Sequence, residues 1–356
     1  MSKAGVIRIA IVGAGQAARA RHLPGFLALP GVRVVGVCNQ RRESSARVAR
    51  EFEIPRVYGT WEELIDDDEV DAVVIGTWPY LHCPITLAAF DAGKHVLTQS
   101  RMAMNAREAQ RMLDRSLECP ELTAMVVPSP YGLLADAHVK NLLADGFLGT
   151  LREVHVTGFA SDLADPKGPL GWRQMTKYSG FNMLSLGILH ESAMRWTPPI
   201  RRVLASAAKL VPIRLDPETG RPARVGTADS IQVIATYQGG AQGTYRLSGV
   251  LWHSSGSSIA LFGSQGTLVY DFKREELRGA RRGEPDLKAM PIPAELRGGW
   301  SVESDFIAAI RGERPVTHAR FADGVKYMQF TEAVARSSRH QTPVDLPLLE
   351  FSNPSL

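Results

Sequence analysis

Five short apolar runs, IRIAIVG, VRVVGVC, VDAVVIG, KHVL and TAMVV, occupy the first 127 residues, each separated from the next by a more polar stretch. β-Branched residues fill successive positions of these runs, so both faces of such a strand must be kept from water. A parallel sheet covered by helices on both sides does that. Amphipathic segments at residues 43–52, 85–92 and 106–117 supply the cover. Residues 1–128 are therefore expected to fold as a doubly wound α/β domain.

After residues 132–149 the texture changes. Alternating strand candidates follow at residues 151–159, 229–237, 243–251, 257–262 and 267–270, several joined by turns such as Gln238-Gly239-Gly240 and Ser264-Gln265-Gly266. Short glycine turns favour antiparallel pairing. Residues 129–356 are expected to form an α+β domain with a mostly antiparallel sheet. It becomes helical again at 302–311 and 321–339 and ends in a strand at 343–346, in a C-terminal segment that can pack back on the first domain.

Composition narrows the partners. The 356 residues are 44% hydrophobic and 22% charged, a globular profile long enough for two domains. Lysine plus arginine exceeds aspartate plus glutamate by only 41 to 37, and the pairs Arg41-Arg42, Arg201-Arg202 and Arg281-Arg282 lie far apart. Nucleic acid is not an expected partner. Cys38, Cys83 and Cys119 show no CxxC spacing and no His/Asp/Glu pattern suits a metal, so neither a disulfide framework nor a metal site is expected. No apolar run approaches the roughly 20 residues that span a bilayer, and the first strand starts too near Met1 for a signal peptide. The reading is a cytoplasmic protein with no membrane partner.

In "IAIVGAGQAARARHLPG", Gly13, Gly15 and Ala18 follow the first strand directly, with Gln16 and Ala17 opening the next helix. Small residues there let the backbone turn tightly and approach a pyrophosphate seated on the helix N-terminus. The second strand ends at Asn39 and Gln40, where a carboxylate usually holds the ribose hydroxyls of NAD, and Arg41 and Arg42 follow. Two guanidinium groups without a repelling carboxylate favour the 2′-phosphate of NADP, with NAD as the alternative. The bland reading makes both arginines solvated surface residues.

With these pieces in place the chain resembles the Gfo/Idh/MocA family. Five blocks in order carry the resemblance: "VDAVVIGTWPYLHCPITLAAFDAGKHVL", "LLADGFLGTLREVHV", "GWRQMTKYSGFNMLSLGILHES", "FGSQGTLVYD", and "DFIAAIRGERPV" with "RSSRHQTPVDLP". The resemblance implies a Rossmann domain and an α+β domain, with nicotinamide and a small-molecule substrate held between them. It also implies a homodimer or homotetramer built through the open C-terminal sheet, and a cofactor lined by Thr77, Trp78, Pro79 and His82.

Two departures bear on function. Sugar-oxidising members usually read Glu-Lys-Pro after the fifth strand, and here "GKHVLTQSRMAMN" places Gln99, Ser100 and Arg101 there. Gln99 and Ser100 would face the cofactor, Ser100 and Arg101 the substrate. Serine can relay a proton but not hold charge, and an arginine with a pKa above about 12 is a poor proton carrier. The family's later Asp-x-Gly-x-His, aligned on Gly187, reads Ser185 and Leu189, with His190 about 100° further round a helix.

His190, with Lys177 and Tyr178 before the helix, makes up the remaining acid–base set; the alternative is that His190 is an ordinary helix residue. Trp172 and Arg173 fit the rim of the cofactor or substrate, and Ser185 and Trp252 the substrate. His253, Tyr80, Tyr131 and Phe181 lie in segments expected to border the same cleft. Three functions stay open: an NADP-dependent oxidoreductase of a cyclic alcohol, sugar-like ketone or imine; a lyase or hydratase using transient oxidation; and a sensor that binds NADP without turnover.

Overall fold

A computed structural model describes residues 5–351. They form two compact units. One holds the described residues up to Pro128 together with Ser301–Val325; the other holds Ser129–Trp300 and the described residues from Lys326 on.

The first unit contains strands β1 (Ile7–Val12), β2 (Val32–Cys38), β3 (Arg56–Val57), β4 (Ala72–Ile75), β5 (His95–Thr98) and β6 (Ala124–Val126). They lie in the order β3-β2-β1-β4-β5-β6, every neighbouring pair parallel. All four residues of β4 are buried, as a two-sided apolar run requires. Helices α1 (Leu23–Leu27), α2 (Arg42–Glu51), α3 (Trp61–Ile65), α4 (His82–Asp91) and α5 (Ala106–Glu118) connect the strands. α5 starts on a reciprocal cap: Asn105 accepts from the Glu108 N–H at 2.9 Å, while the Glu108 carboxylate accepts from the Met104 N–H at 3.0 Å. The strand order reverses between β1 and β4, and ligands of open α/β sheets bind outside the carboxyl ends of the strands at such a switch point.

The second unit begins with α6 (Asp136–Ala144), β7 (Leu151–Phe159), α7 (Thr176–Ser179), α8 (Leu186–Met194) and β8 (Ile200–Ala208). A ribbon of β9 (Ile213–Leu215) and β10 (Pro222–Arg224) follows, then β11 (Ser230–Tyr237), β12 (Gln242–Ser248), β13 (Ser257–Gly263), β14 (Gly266–Asp271), β15 (Glu276–Arg281) and β16 (Lys288–Ala289). Helix α9 (Val302–Ile310) belongs to the first unit. Helix α10 (Phe321–His340) starts in the first and continues in the second, which β17 (Val344–Asp345) completes. The nine-stranded sheet runs β16-β15-β14-β13-β7-β12-β11-β8-β17, and β7–β12 is its one parallel pair.

The fold class is as the sequence indicates. Alternation is clearest in β11, where Ile231, Val233, Ala235 and Tyr237 are buried and Gln232 and Ile234 exposed. Gly239 and Gly240, at φ 85° and 92°, make the turn into β12 that few other residues could make. Strands β3, β8, β9, β10, β15 and β16 have no counterpart among the expected strands. Among the described residues no helix is long and apolar enough to cross a membrane.

Candidate active site

The glycine loop occupies the switch point. Gly13 has φ 87°, and a Cβ there would lie 2.5 Å from the Thr77 nitrogen; a Cβ on Gly76 would lie 2.5 Å from the Gly13 oxygen. The turns after β1 and β4 therefore pack backbone against backbone. Gly15 differs: its φ is outside the left-handed region and an added Cβ would meet nothing within 4 Å. Neither conformation nor packing calls for glycine at 15, and the open space is what the close approach of a ligand needs. Gln16 and Ala17, both exposed, begin the helix, whose first N–H groups have no intrahelical acceptor. Residues Ala18–His22 continue it as a π-helix. This set fits a dinucleotide pyrophosphate.

Asn39 fastens that loop. Its carbonyl oxygen accepts from the Ala14 N–H at 2.6 Å and its amide donates to Ser44 Oγ at 3.1 Å. Both ends of its side chain are thus engaged in the protein and hold the loop on which a cofactor contact was expected. Gln40, Arg41 and Arg42 are exposed, and among the described residues neither arginine has an ion-pair partner.

His82 lies between the turns after β4 and β5. Its Nε2 lies 2.9 Å from the Thr77 carbonyl, and its Nδ1 lies 3.1 Å and 3.2 Å from the carbonyls of Arg101 and Met102. Burial pushes its pKa below the ordinary histidine value, and the carbonyls act in the opposite direction. The ring is buried between the two turns, and as a neutral imidazole it has one N–H to donate, to a carbonyl of one turn or the other, beneath the surface where a cofactor contact was expected. Thr77 and Trp78 are half-buried and Pro79 is buried. Gln99 and Ser100 are half-buried, Arg101 is buried, and the Ser100–Arg101 peptide is cis.

Behind Gln99 stands a pair that the sequence reading passed over. His22 Nδ1 lies 2.5 Å from Glu303 Oε1, with the side chains 1% and 6% exposed, and His22 Nε2 lies 3.4 Å from Gln99 Nε2. The two residues are 281 apart in sequence.

In the second unit Lys177 and Tyr178 meet each other, while His190 packs against Phe330 and Tyr245. His190 is 4% exposed, stacked on Phe330 with ring centroids 3.7 Å apart, and bonded through Nδ1 to the Tyr245 hydroxyl at 2.8 Å. Burial alone pushes its pKa down to about 3, so it stays neutral where turnover would need it to exchange a proton. Lys177 instead sits over the Tyr178 ring at 4.6 Å, exposed, its pKa raised by its hydrogen bond to that phenol. His190 and Lys177 share no contact. Leu189 is fully buried towards β7, where a Cβ on Gly158 would lie 2.5 Å from its Cδ1. Ser185 caps α8 half-buried, its carbonyl accepting from the Leu189 N–H at 2.9 Å. Trp172 stacks under the exposed Arg173 guanidinium at 4.4 Å. Trp252 is 63% exposed and His253 follows it at φ 54°. Tyr131, also exposed, leans on Phe272 with centroids 5.1 Å apart.

Comparison with known proteins accounts for both units. Residues 7–125 match the oxidoreductase family with an NAD-binding Rossmann fold, GFO_IDH_MocA, and residues 137–269 match the GFO/IDH/MocA C-terminal domain. Levoglucosan dehydrogenase of Pseudarthrobacter phenanthrenivorans is 24% identical, covering 96% of this chain and 98% of its own length. A dTDP-3,4-didehydro-2,6-dideoxy-alpha-D-glucose 3-reductase of Streptomyces antibioticus is 25% identical over 94% of this chain and 97% of its own. A levoglucosan dehydrogenase in complex with NADH and L-sorbose superposes with a TM-score of 0.84 at 23% identity, covering 96% and 99% of the two chains. Two successive domains of one family, in the order and fold that family carries, leave one assignment: the chain belongs to the Gfo/Idh/MocA oxidoreductase family.

Proposed function

We propose that this chain is an NAD(P)-dependent oxidoreductase of a sugar-like cyclic substrate and that it favours NADP. The observation that carries the reading is the glycine cradle, with Gly15 beside open space at the switch point of the parallel sheet. Gly13, Gly15, Gln16 and Ala17 would hold the pyrophosphate, Arg41 and Arg42 the 2′-phosphate, and Thr77, Trp78, Gln99 and Ser100 the nicotinamide end. When bound, that cofactor accepts or donates a hydride. The names of the full-length relatives, a levoglucosan dehydrogenase and a dTDP-sugar 3-reductase, support a cyclic alcohol or ketone as the partner of that hydride.

The chain's own groups limit the proton half of the reaction. An alcohol that loses hydride also loses its hydroxyl proton, and the Ser100 hydroxyl can pass it to water but not retain it. Lys177 is held protonated and His190 is held neutral, so neither exchanges protons near pH 7. Reduction of a ketone or an already protonated imine asks least of such a site. The lyase reading loses its base for the same reason. Residues Ser100, Ser185 and Leu189, together with the burial of His190, favour as second reading a protein that binds NADP without turnover.

Single-turnover mixing with NADPH and NADH against cyclic ketones, imines and keto-sugars separates the two. Loss of reduced-nicotinamide absorbance with one class supports the oxidoreductase; tight binding of reduced cofactor with no oxidation by any compound supports the binding protein. A second copy would pack on the open sheet face, where paired Leu204 and Ile234 are 41% and 58% exposed. Sedimentation of the purified chain as a monomer would remove that part.

A further inference from the structure

We propose that His22 and Glu303 are positioning residues for the turn at Gln99 and Ser100, acting through the Gln99 carboxamide. The proposal rests on the reading that this turn faces the nicotinamide. The links run in one direction. Glu303 Oε1 lies 2.5 Å from His22 Nδ1, His22 Nε2 lies 3.4 Å from Gln99 Nε2, and Gln99 Oε1 accepts the Ser100 N–H at 3.2 Å.

A carboxylate only accepts, so Nδ1 carries the imidazole proton. Nε2 is then a lone pair, which the Gln99 amide meets with an N–H, and the amide oxygen is left for Ser100. Turning the amide over would set oxygen against a lone pair and NH2 against the Ser100 N–H. One arrangement of donors therefore satisfies every link, and it fixes the Gln99 side chain and the Ser100 backbone together. Glutamate at position 99 could only accept, which reverses the sense of the link and calls for a second proton on His22.

The surroundings are shaped for this chain. A Cβ on Gly25 would lie 2.8 Å from Glu303 Cγ, so the glycine makes room for the carboxylate to reach His22. Gln99 also gives its backbone N–H to Ile75 at 2.9 Å, tying the turn to β4. On the far side His82 Nδ1 lies 3.1 Å and 3.2 Å from the carbonyls of Arg101 and Met102. Gln99, Ser100, Arg101 and Met102 are thus flanked at both ends by buried histidines, while the residues inside the turn are those that depart from the family's lysine pattern. Burying a carboxylate and an imidazole is unfavourable unless each is well matched, and here the match terminates on Ser100.

The test uses the full-length protein labelled with 15N-histidine. His22 is expected as the Nδ1–H tautomer with an unprotonated Nε2; Gln99→Ala keeps that tautomer, and Gln99→Glu converts it to the doubly protonated ring. An Nε2–H tautomer, or a Gln99→Glu spectrum unchanged from wild type, overturns the proposal. The functional arm follows bound NADPH by nicotinamide emission and, with the substrate found above, by the rate of hydride transfer. His22→Asn keeps a donor for Glu303 and drops the acceptor for Gln99. It and Gln99→Ala should each slow transfer by about 10- to 100-fold, as misplacement of a supporting group does, with KM and cofactor affinity changed less than about threefold. The double variant should be no slower than the slower single one. Additive losses, or loss of affinity in proportion to lost rate, overturn the positioning role. A wild-type protein that binds no dinucleotide defeats the functional reading itself, and the histidine spectra still decide whether the hydrogen-bonded chain exists.

Discussion

The carboxyl ends of the parallel strands and helix α8 each hold a buried histidine, and the two are used in opposite ways. His22 lies against a carboxylate and reaches a half-buried turn; His190 lies between Phe330 and Tyr245, where burial pushes its pKa down to about 3. Burial is common to both. What separates them is the partner at Nδ1, a carboxylate for His22 and a neutral phenol for His190. The two surroundings differ accordingly: Gln99 and Ser100 belong to a hydrogen-bonded polar turn, whereas Leu189 and His190 lie in an apolar core.

Phenylalanine at each site sharpens the contrast most. His22→Phe removes the imidazole from Glu303 and leaves a buried carboxylate beside an apolar ring, which should lower stability by about 3–5 kcal/mol. His190→Phe keeps the stack on Phe330 and gives up one neutral hydrogen bond, about 1 kcal/mol, while Tyr245 keeps Tyr237 at 3.2 Å. Denaturant unfolding of the two variants reads the difference directly. Equal losses would mean that both histidines are packing residues alike.

Acid should separate them next. The folded pKa of His190, about 3, lies below its ordinary 6.5, so the unfolded chain takes up the proton first. The contribution is therefore complete above pH 6.5 and is lost as pH falls from there towards 3. At pH 5 it amounts to about 2 kcal/mol against the protein. His190→Phe lacks this term, so its deficit at pH 7 should vanish or reverse at pH 5. A pH–rate profile that loses an ionisation near neutrality in His190→Phe would instead return the residue to catalysis.

The contrast also shows what a sequence reveals. Five of the six strands in the first sheet stand out as apolar runs; two-residue β3, Arg56–Val57, is too short to have a period. In the second sheet β7 was legible to the residue, but β8 was hidden because alanines and serine fill its positions and its arginines read as a surface pair. Arg202 in fact sits in that strand bonded to Asp345 of β17 at 2.6 Å. His190 drew attention by standing beside a recognisable motif, although its direction depends on Phe330, 140 residues away. His22 and Glu303 had no motif at all. Pairings of that separation are products of the fold and leave no periodic trace.

A smaller effect tests the accessible side of the comparison. Arg41→Ala with Arg42→Ala should weaken NADPH binding by about tenfold, the value of one charge-assisted hydrogen bond, and leave NADH within about twofold. Because both side chains are exposed, the loss should shrink as salt rises. Equal weakening of both cofactors would take the 2′-phosphate away from these residues.

The smallest expected change is at Lys177. Its ammonium lies over the Tyr178 ring in water, with its pKa raised, so it remains charged near neutral pH. An exposed cation on an aromatic face contributes little, and Lys177→Met should alter stability by no more than about 0.5 kcal/mol. Hydride transfer should not change either, since a lysine that stays protonated cannot serve as base and one that shares no contact with His190 cannot tune it. Were the rate to fall with cofactor affinity intact, the ammonium must meet the substrate as a fixed charge. The positive group that the family's pattern places after the fifth strand would then have been relocated to α7 in the second unit. That result would reassign charge stabilisation to the second unit while leaving the position of Ser100 to His22.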